Sequence, residues 1–200
     1  AHARIVSIDV TRARQAAGVA GVVTATDIPG HNDVGPIFDG EPVLAKDIVD
    51  YVGAPVVAIG AATYDQGLAA AALVEIVYEE LPAILDIADA LELKSYTYPP
   101  QIMTYGDPEA AIAGAAQRVE GEVSCGGQDH FYLESNVALA VPRDDGDLEV
   151  YSSTQHPSEV QHGVAHTLGV PTNAVTVEVR RMGGGFGGKE SQPTIIAAIA

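Results

Sequence analysis

The chain has 200 residues with 10 basic against 27 acidic side chains, a net charge of −17. That length allows one or two domains, and the charge weighs against nucleic acid and anionic membranes, which need positive charge on their partners. A hydrophobic share of 47% argues against disorder, and charged residues at 18%, under the roughly 25% usual in soluble domains, suggest that other protein covers part of the surface.

Residues 3–10 alternate apolar and polar side chains, as a half-buried strand does. Thr11 can cap a short helix that Gly18 ends. Val19–Thr24 reads as a strand, and residues 27–42, rich in Gly, Pro, Asp and Asn, as a loop. Residues 54–61 form a short apolar strand. Thr63-x-x-Gln66 is a capping box opening a helix over 64–74, and Glu75–Glu80 returns as a strand. Residues 81–100 are a connector with a helical piece at 87–93. Asp107 caps a short helix with Pro108 in its first turn. Strands are then expected at 117–125, at 128–140 with a bend, and at 148–153 after a turn at 144–147. Pro157–Leu168 reads as a helix with Pro at its start and Gly169 beyond its end. A strand at 175–179 and the start of a buried helix at 193–200 complete the chain. The fold class is α+β, with 1–90 as one domain and 91–200 as the first part of another. The start without Met and the uncapped apolar end read as a piece of a longer polypeptide.

Between the last strand and the last helix lies Arg180-Arg181-Met182-Gly183-Gly184-Gly185-Phe186-Gly187-Gly188-Lys189-Glu190. Glycine serves where backbone needs positive φ or close approach. Five of them around one aromatic suggest a backbone shaped against a ligand, with Phe186 projecting into the site. Glu190 then falls in the first helical turn, where the dipole favours its ionised form. Gly183-x-Gly185-x-x-Gly188 matches the dinucleotide fingerprint in letters but lacks the acidic residue about 20 positions on. Gly183-x4-Gly188-Lys189 resembles a phosphate loop, yet Glu190 replaces the hydroxyl that would bind Mg²⁺.

Gly126-Gly127-Gln128-Asp129-His130-Phe131-Tyr132-Leu133-Glu134 is the second unusual stretch. In a strand, Gln128, His130, Tyr132 and Glu134 share one face. They make either a hydrogen-bonded polar hairpin or a site in which neutral Gln128 bonds a ligand. His162 and His166 share a helix face, but Gly163 stands where a metalloprotease has Glu, and no third ligand is evident. His2 and His31 are expected in solvent. Cys125, the only cysteine, cannot form an internal disulfide and is expected as a small buried hydrophobe, in keeping with a cytoplasmic location.

Gly126 to Glu134, Ser153-Thr154-Gln155 and Arg181 to Glu190 closely resemble the molybdenum-binding subunit of the xanthine dehydrogenase family. Val52-Gly53-Ala54-Pro55-Val56-Val57-Ala58 and Val77-Tyr78-Glu79-Glu80-Leu81-Pro82-Ala83 resemble its α/β hammerhead domain. The resemblance implies a hammerhead domain over 1–90 and a truncated molybdopterin-binding domain over 91–200. It implies hydroxylation of a purine, hypoxanthine or xanthine, with oxygen from water at a molybdenum–molybdopterin centre. Electrons would pass through iron–sulfur clusters to FAD and NAD on other domains or subunits of an oligomer. Gln128 would hydrogen-bond an oxo group of the molybdenum. Gly184, Gly185, Phe186 and Gly187 would border the cofactor, and Glu190 would meet the heterocycle, where aldehyde oxidases tend to carry an apolar residue. The family's catalytic base lies further along than Ala200, so these residues alone are expected neither to turn over xanthine nor to hold the cofactor tightly. A related hydroxylase of another N-heterocycle or an aldehyde, and a non-catalytic assembly domain, are the alternatives.

Overall fold

The computed structural model describes residues 2–200 and shows an α+β chain. Its contacts divide it into two compact units: the residues up to Pro82 together with His130–Ala200, and Ala83–Asp129.

In the first unit, β1 (Ala3–Asp9) pairs antiparallel with both β3 (Ile48–Val49) and β5 (Glu75–Glu80), with a bulge between Ile5 and Ser7. A second antiparallel pair joins β2 (Val19–Thr24) to β4 (Val57–Ala61), Val22 lying opposite Ile59. Two helices cover these strands, α1 (Thr11–Arg14) and α2 (Tyr64–Ala71). Thr63 caps α2 by accepting the Gln66 amide at 3.3 Å, as its sequence spacing requires. At α1 the cap differs from expectation: Val10 is the capping residue, and Asp9 accepts the Thr11 amide at 2.8 Å. A carboxylate already in place from the strand end leaves the Thr11 hydroxyl no such role. Val10, Ala13 and Val22 close this core with Val57, Ile59 and Leu73.

The remainder of the unit is a three-stranded sheet of β6 (Ala138–Pro142), β7 (Leu148–Ser152) and β8 (Val175–Glu178), the last two parallel. Parallel neighbours need a crossover, supplied here by α5 (Pro157–Leu168). Gly169 ends α5 in the left-handed region, and the amides of Gly30 and His31 bond the Thr167 and His166 carbonyls at 2.9 Å. Carbonyls that a helix end leaves orphaned are thereby satisfied. The last helix, α6 (Ser191–Ile199), packs on α5 so closely that a Cβ at Gly163 would collide with the Thr194 methyl. Val150, Val160, Val164 and Val175 are fully buried between sheet and helices, each worth about 1.5–3 kcal/mol on burial.

The second unit holds α3 (Ile87–Glu92) and α4 (Pro108–Gly114). Asp107 caps α4, accepting the Ala110 amide at 2.9 Å. Between residues 117 and 140 three expectations are corrected by the structure. Residues 117–125 form no strand; they are exposed throughout, and a strand exists only where a neighbour completes its ladder. The strand expected over 128–140 is laddered only at β6, although the burial of residues 132–140 alternates as in a strand. Cys125 is exposed rather than buried, because the segment carrying it joins no core.

Candidate functional site

After β8 the chain enters the glycine turn and leaves it as α6. Phe186 sits in the left-handed region at φ 54°, between Gly184 at 97° and Gly187 at 89°. Glycine takes these values freely. For a bulky aromatic they cost about 1–3 kcal/mol and persist only where surrounding bonds impose them. The Phe186 ring is 75% exposed, so its own packing does not impose them.

Two side chains impose the shape. Gln155 Oε1 accepts the amides of Gly187 at 2.9 Å and Lys189 at 3.2 Å, and the Gln155 amide donates to the Lys189 carbonyl at 2.8 Å. Thr154 donates its hydroxyl to the same carbonyl at 3.2 Å. At the other end, Glu134 Oε2 accepts from Lys189 Nζ at 2.8 Å, Ser153 Oγ at 2.5 Å and the Gly183 amide at 2.6 Å. These donors, Lys189 first, hold the Glu134 carboxyl well below its ordinary 4.5, at about 2, against a desolvation that pushes upward. Lys189 is 0% exposed, bonds Ser153 Oγ at 3.0 Å and lies 4.9 Å over the Tyr132 ring, a favourable place for a cation.

This arrangement disposes of both phosphate-binding readings. The amides of Gly187 and Lys189 already serve Gln155, and the lysine that a phosphate loop needs is buried on a carboxylate. It also gives some glycines another reason than ligand approach. A Cβ at Gly185 would overlap Gln155 Oε1, and one at Gly188 would lie 2.5 Å from Tyr132 Cε1 and 2.9 Å from His130 Cγ.

Glu190 lies at the N-cap of α6, one position before the first turn where the sequence places it, because the helix starts at Ser191. Pro193 fits inside the first turn, where its missing N–H is not needed. The Glu190 side chain is half exposed, 3.5 Å from His156 Nε2, whose Nδ1 is 3.6 Å from Glu159. The bonds that tie Thr154 and Gln155 to Lys189 bring this imidazole alongside. Gly184, Gly185, Phe186, Gly187 and Glu190 thus belong to one continuous, internally fixed loop. Gln128 belongs to the other compact unit, exposed in a segment without regular structure. His166 stacks edge-on with His31 at 6.1 Å, and no group of three or more metal-holding side chains occurs among the described residues. His2 is half-buried rather than solvated, its ring 2.8 Å from the Pro82 carbonyl. An apolar cavity of about 320 Å³, lined by Val23, Leu44, Leu148, Leu168 and Ala198 among others, shares no residue with the glycine turn.

The sequence motifs contain Gln155, Lys189 and Glu134, but their anchoring of the turn was not legible in them. The two ends of the Glu134–Lys189 pair are 55 positions apart, and no spacing rule links them. The glycines gave the one usable clue, since a position that must stay small has a close neighbour to be found.

Residues 94–200 match the molybdopterin cofactor-binding domain, and residues 1–82 match the aldehyde oxidase and xanthine dehydrogenase a/b hammerhead domain. The chain belongs to the aldehyde oxidase and xanthine dehydrogenase family. It is 43% identical over 198 residues to a xanthine dehydrogenase/oxidase of Mus musculus, covering 98% of this chain and 15% of that one. It is also 43% identical over 202 residues to aldehyde oxidase 2 of Macaca fascicularis, covering 100% and 15%. Among solved structures it is similar to quinoline 2-oxidoreductase from Pseudomonas putida 86, with a TM-score of 0.79 and 30% identity over 97% of this chain and 27% of that one. Aldehyde oxidoreductase from Desulfovibrio gigas gives 0.80 and 26%, over 99% and 24%. The chain spans about 15% of the length of these curated relatives.

The turn leaves backbone that such a cofactor could border: Gln155 and Glu134 bond its inner side, and Phe186, in the left-handed region, is exposed.

Proposed function

We propose that these residues are the hammerhead domain, 1–90, and the first part of the molybdopterin-binding domain, 91–200, of a xanthine dehydrogenase that hydroxylates hypoxanthine and xanthine. When bound, molybdopterin-held molybdenum supplies a two-electron oxidation of a substrate carbon with oxygen from water. The residues of this chain bind and orient. The turn of Gly184, Gly185, Phe186 and Gly187 would present backbone to the cofactor, and the Gln128 amide would offer it a hydrogen bond. Glu190 receives the purine edge. Iron–sulfur clusters, FAD and NAD on other domains or subunits of a cytoplasmic oligomer carry the electrons away.

The observation that supports purine over aldehyde is the place of Glu190. It is a half-exposed carboxylate at a helix N-cap, four positions past the strained Phe186, on backbone held by Gln155. There it can accept a ring N–H in a charge-assisted hydrogen bond; an aldehyde offers no such donor. In the intact enzyme, Glu190→Val removes one charged hydrogen bond, about 1.5–3 kcal/mol. The expected fall in kcat/KM for xanthine is about tenfold to hundredfold, with aldehyde turnover changed much less. Equal losses on both substrates would remove Glu190 from substrate recognition. The equal identity to an aldehyde oxidase, and the likeness to a quinoline oxidoreductase, favour an aldehyde or another N-heterocycle as the second reading.

A further inference from the structure

We propose that Gln155 is a positioning residue that sets the backbone of the Phe186 turn for the cofactor, chiefly through its side-chain oxygen. The inference rests on the assignment of that turn to the cofactor's border. Four observations single out this side chain. Its Oε1 accepts two amides, Gly187 at 2.9 Å and Lys189 at 3.2 Å, on the C-terminal flank of Phe186. Its backbone N–H holds the Lys189 carbonyl at 2.8 Å, so the residue grips the loop by three bonds. Gly185, on the other flank, is where a Cβ would overlap Oε1. Finally, Phe186 and Gly187 both have positive φ, which neither the exposed ring nor a ladder explains.

Both partners of Oε1 are donors, so an oxygen and not an amide nitrogen must face them. A carboxylate in the same place can accept both bonds; a methyl cannot. Without the acceptor, the two amides turn toward water and the left-handed Phe186 relaxes. The backbone then no longer meets the cofactor where it did. A displacement of about 1 Å is enough to cost about a hundredfold in rate.

The test compares Gln155→Glu with Gln155→Leu in the full-length enzyme. The readouts are molybdenum bound per protomer, turnover per bound molybdenum, the paramagnetic resonance spectrum of the molybdenum, and hydrogen exchange of the Gly187 and Lys189 amides. Gln155→Glu is expected to keep metal content, spectrum and turnover within about twofold. Gln155→Leu is expected to speed exchange of both amides, alter the spectrum and lower turnover per bound metal about tenfold to hundredfold. If Gln155→Leu does not accumulate, Gln155→Asn, which withdraws the acceptor by one methylene, decides the same comparison. Normal turnover and spectrum in the leucine or asparagine variant, or equal damage in the glutamate variant, would overturn the proposal. A wild-type enzyme without molybdenum would sink the functional assignment instead, and the exchange of the two amides would still show whether Gln155 holds the turn.

Discussion

Residues 83–129 and residues 130–200 carry similar local signals and end in different states. The first stretch has one capped helix start, Asp107 bonded to the Ala110 amide, yet α3 and α4 bury no residue. Ile102, Met103, Tyr105, Val119 and Val123 are almost fully exposed. In the second stretch, β7, α5, β8 and α6 bury Val150, Val160, Val164 and Val175 completely. Capping satisfies amides within one turn, so it can be read from neighbouring residues. A ladder and a core need partners, and local sequence cannot provide them.

Hydrogen exchange on the 200-residue chain breaks or sharpens this contrast with the largest effect. Amides of 115–129 are expected to exchange nearly as in a peptide, and those of Val160 to Val164 at least about a thousandfold more slowly. Strong protection over 117–125 would mean a ladder there, and the contrast would be gone.

The second effect probes what locks the glycine turn. Glu134→Ala leaves the Lys189 ammonium buried without its counter-charge. Glu134 is itself partly exposed, so the loss comes from the buried ammonium left without its carboxylate. The denaturant midpoint of 130–200 should fall, while protection in 83–129, already slight, should not change. An unchanged midpoint would show that Lys189 finds water or another acceptor once Glu134 is gone.

Much of the fold was legible because it is written locally. The cap at Thr63, the proline start and glycine stop of α5, and the alternation in β1 each rest on neighbouring residues. Residues 132–140 show where that legibility ends. Their alternating burial matches the sequence pattern, yet the regular ladder begins only at Ala138, because pairing depends on which strand lies alongside. At the candidate site the glycines were visible as glycines, but their causes were not. Gln155 and Glu134, distant in sequence, decide which glycine must turn and which must stay small. Glu190 was placed correctly to within one residue, since helix starts are local as well.

The smallest expected effect is the acid response of the same lock, and its sign follows from the carboxyl's direction of shift. Glu134 is held at about 2 in the fold against an ordinary 4.5. A group depressed in this way contributes stability that is complete above about pH 4.5 and is lost as pH falls through about 2. Asp9, Asp27 and Glu149 are also lowered, by their bonds to Thr11, Thr24 and Tyr151 respectively, so acid weakens the whole chain and the overall curve does not isolate Glu134. The difference between wild type and Glu134→Gln does, because the other carboxylates are common to both. Urea midpoints of the two proteins should stand furthest apart near pH 7 and converge between about pH 4.5 and pH 2. A gap that stayed constant to pH 3 would show that the lock acts through shape and neutral hydrogen bonds. The ionised pair would then not be what separates the ordered turn from the exposed segment before it.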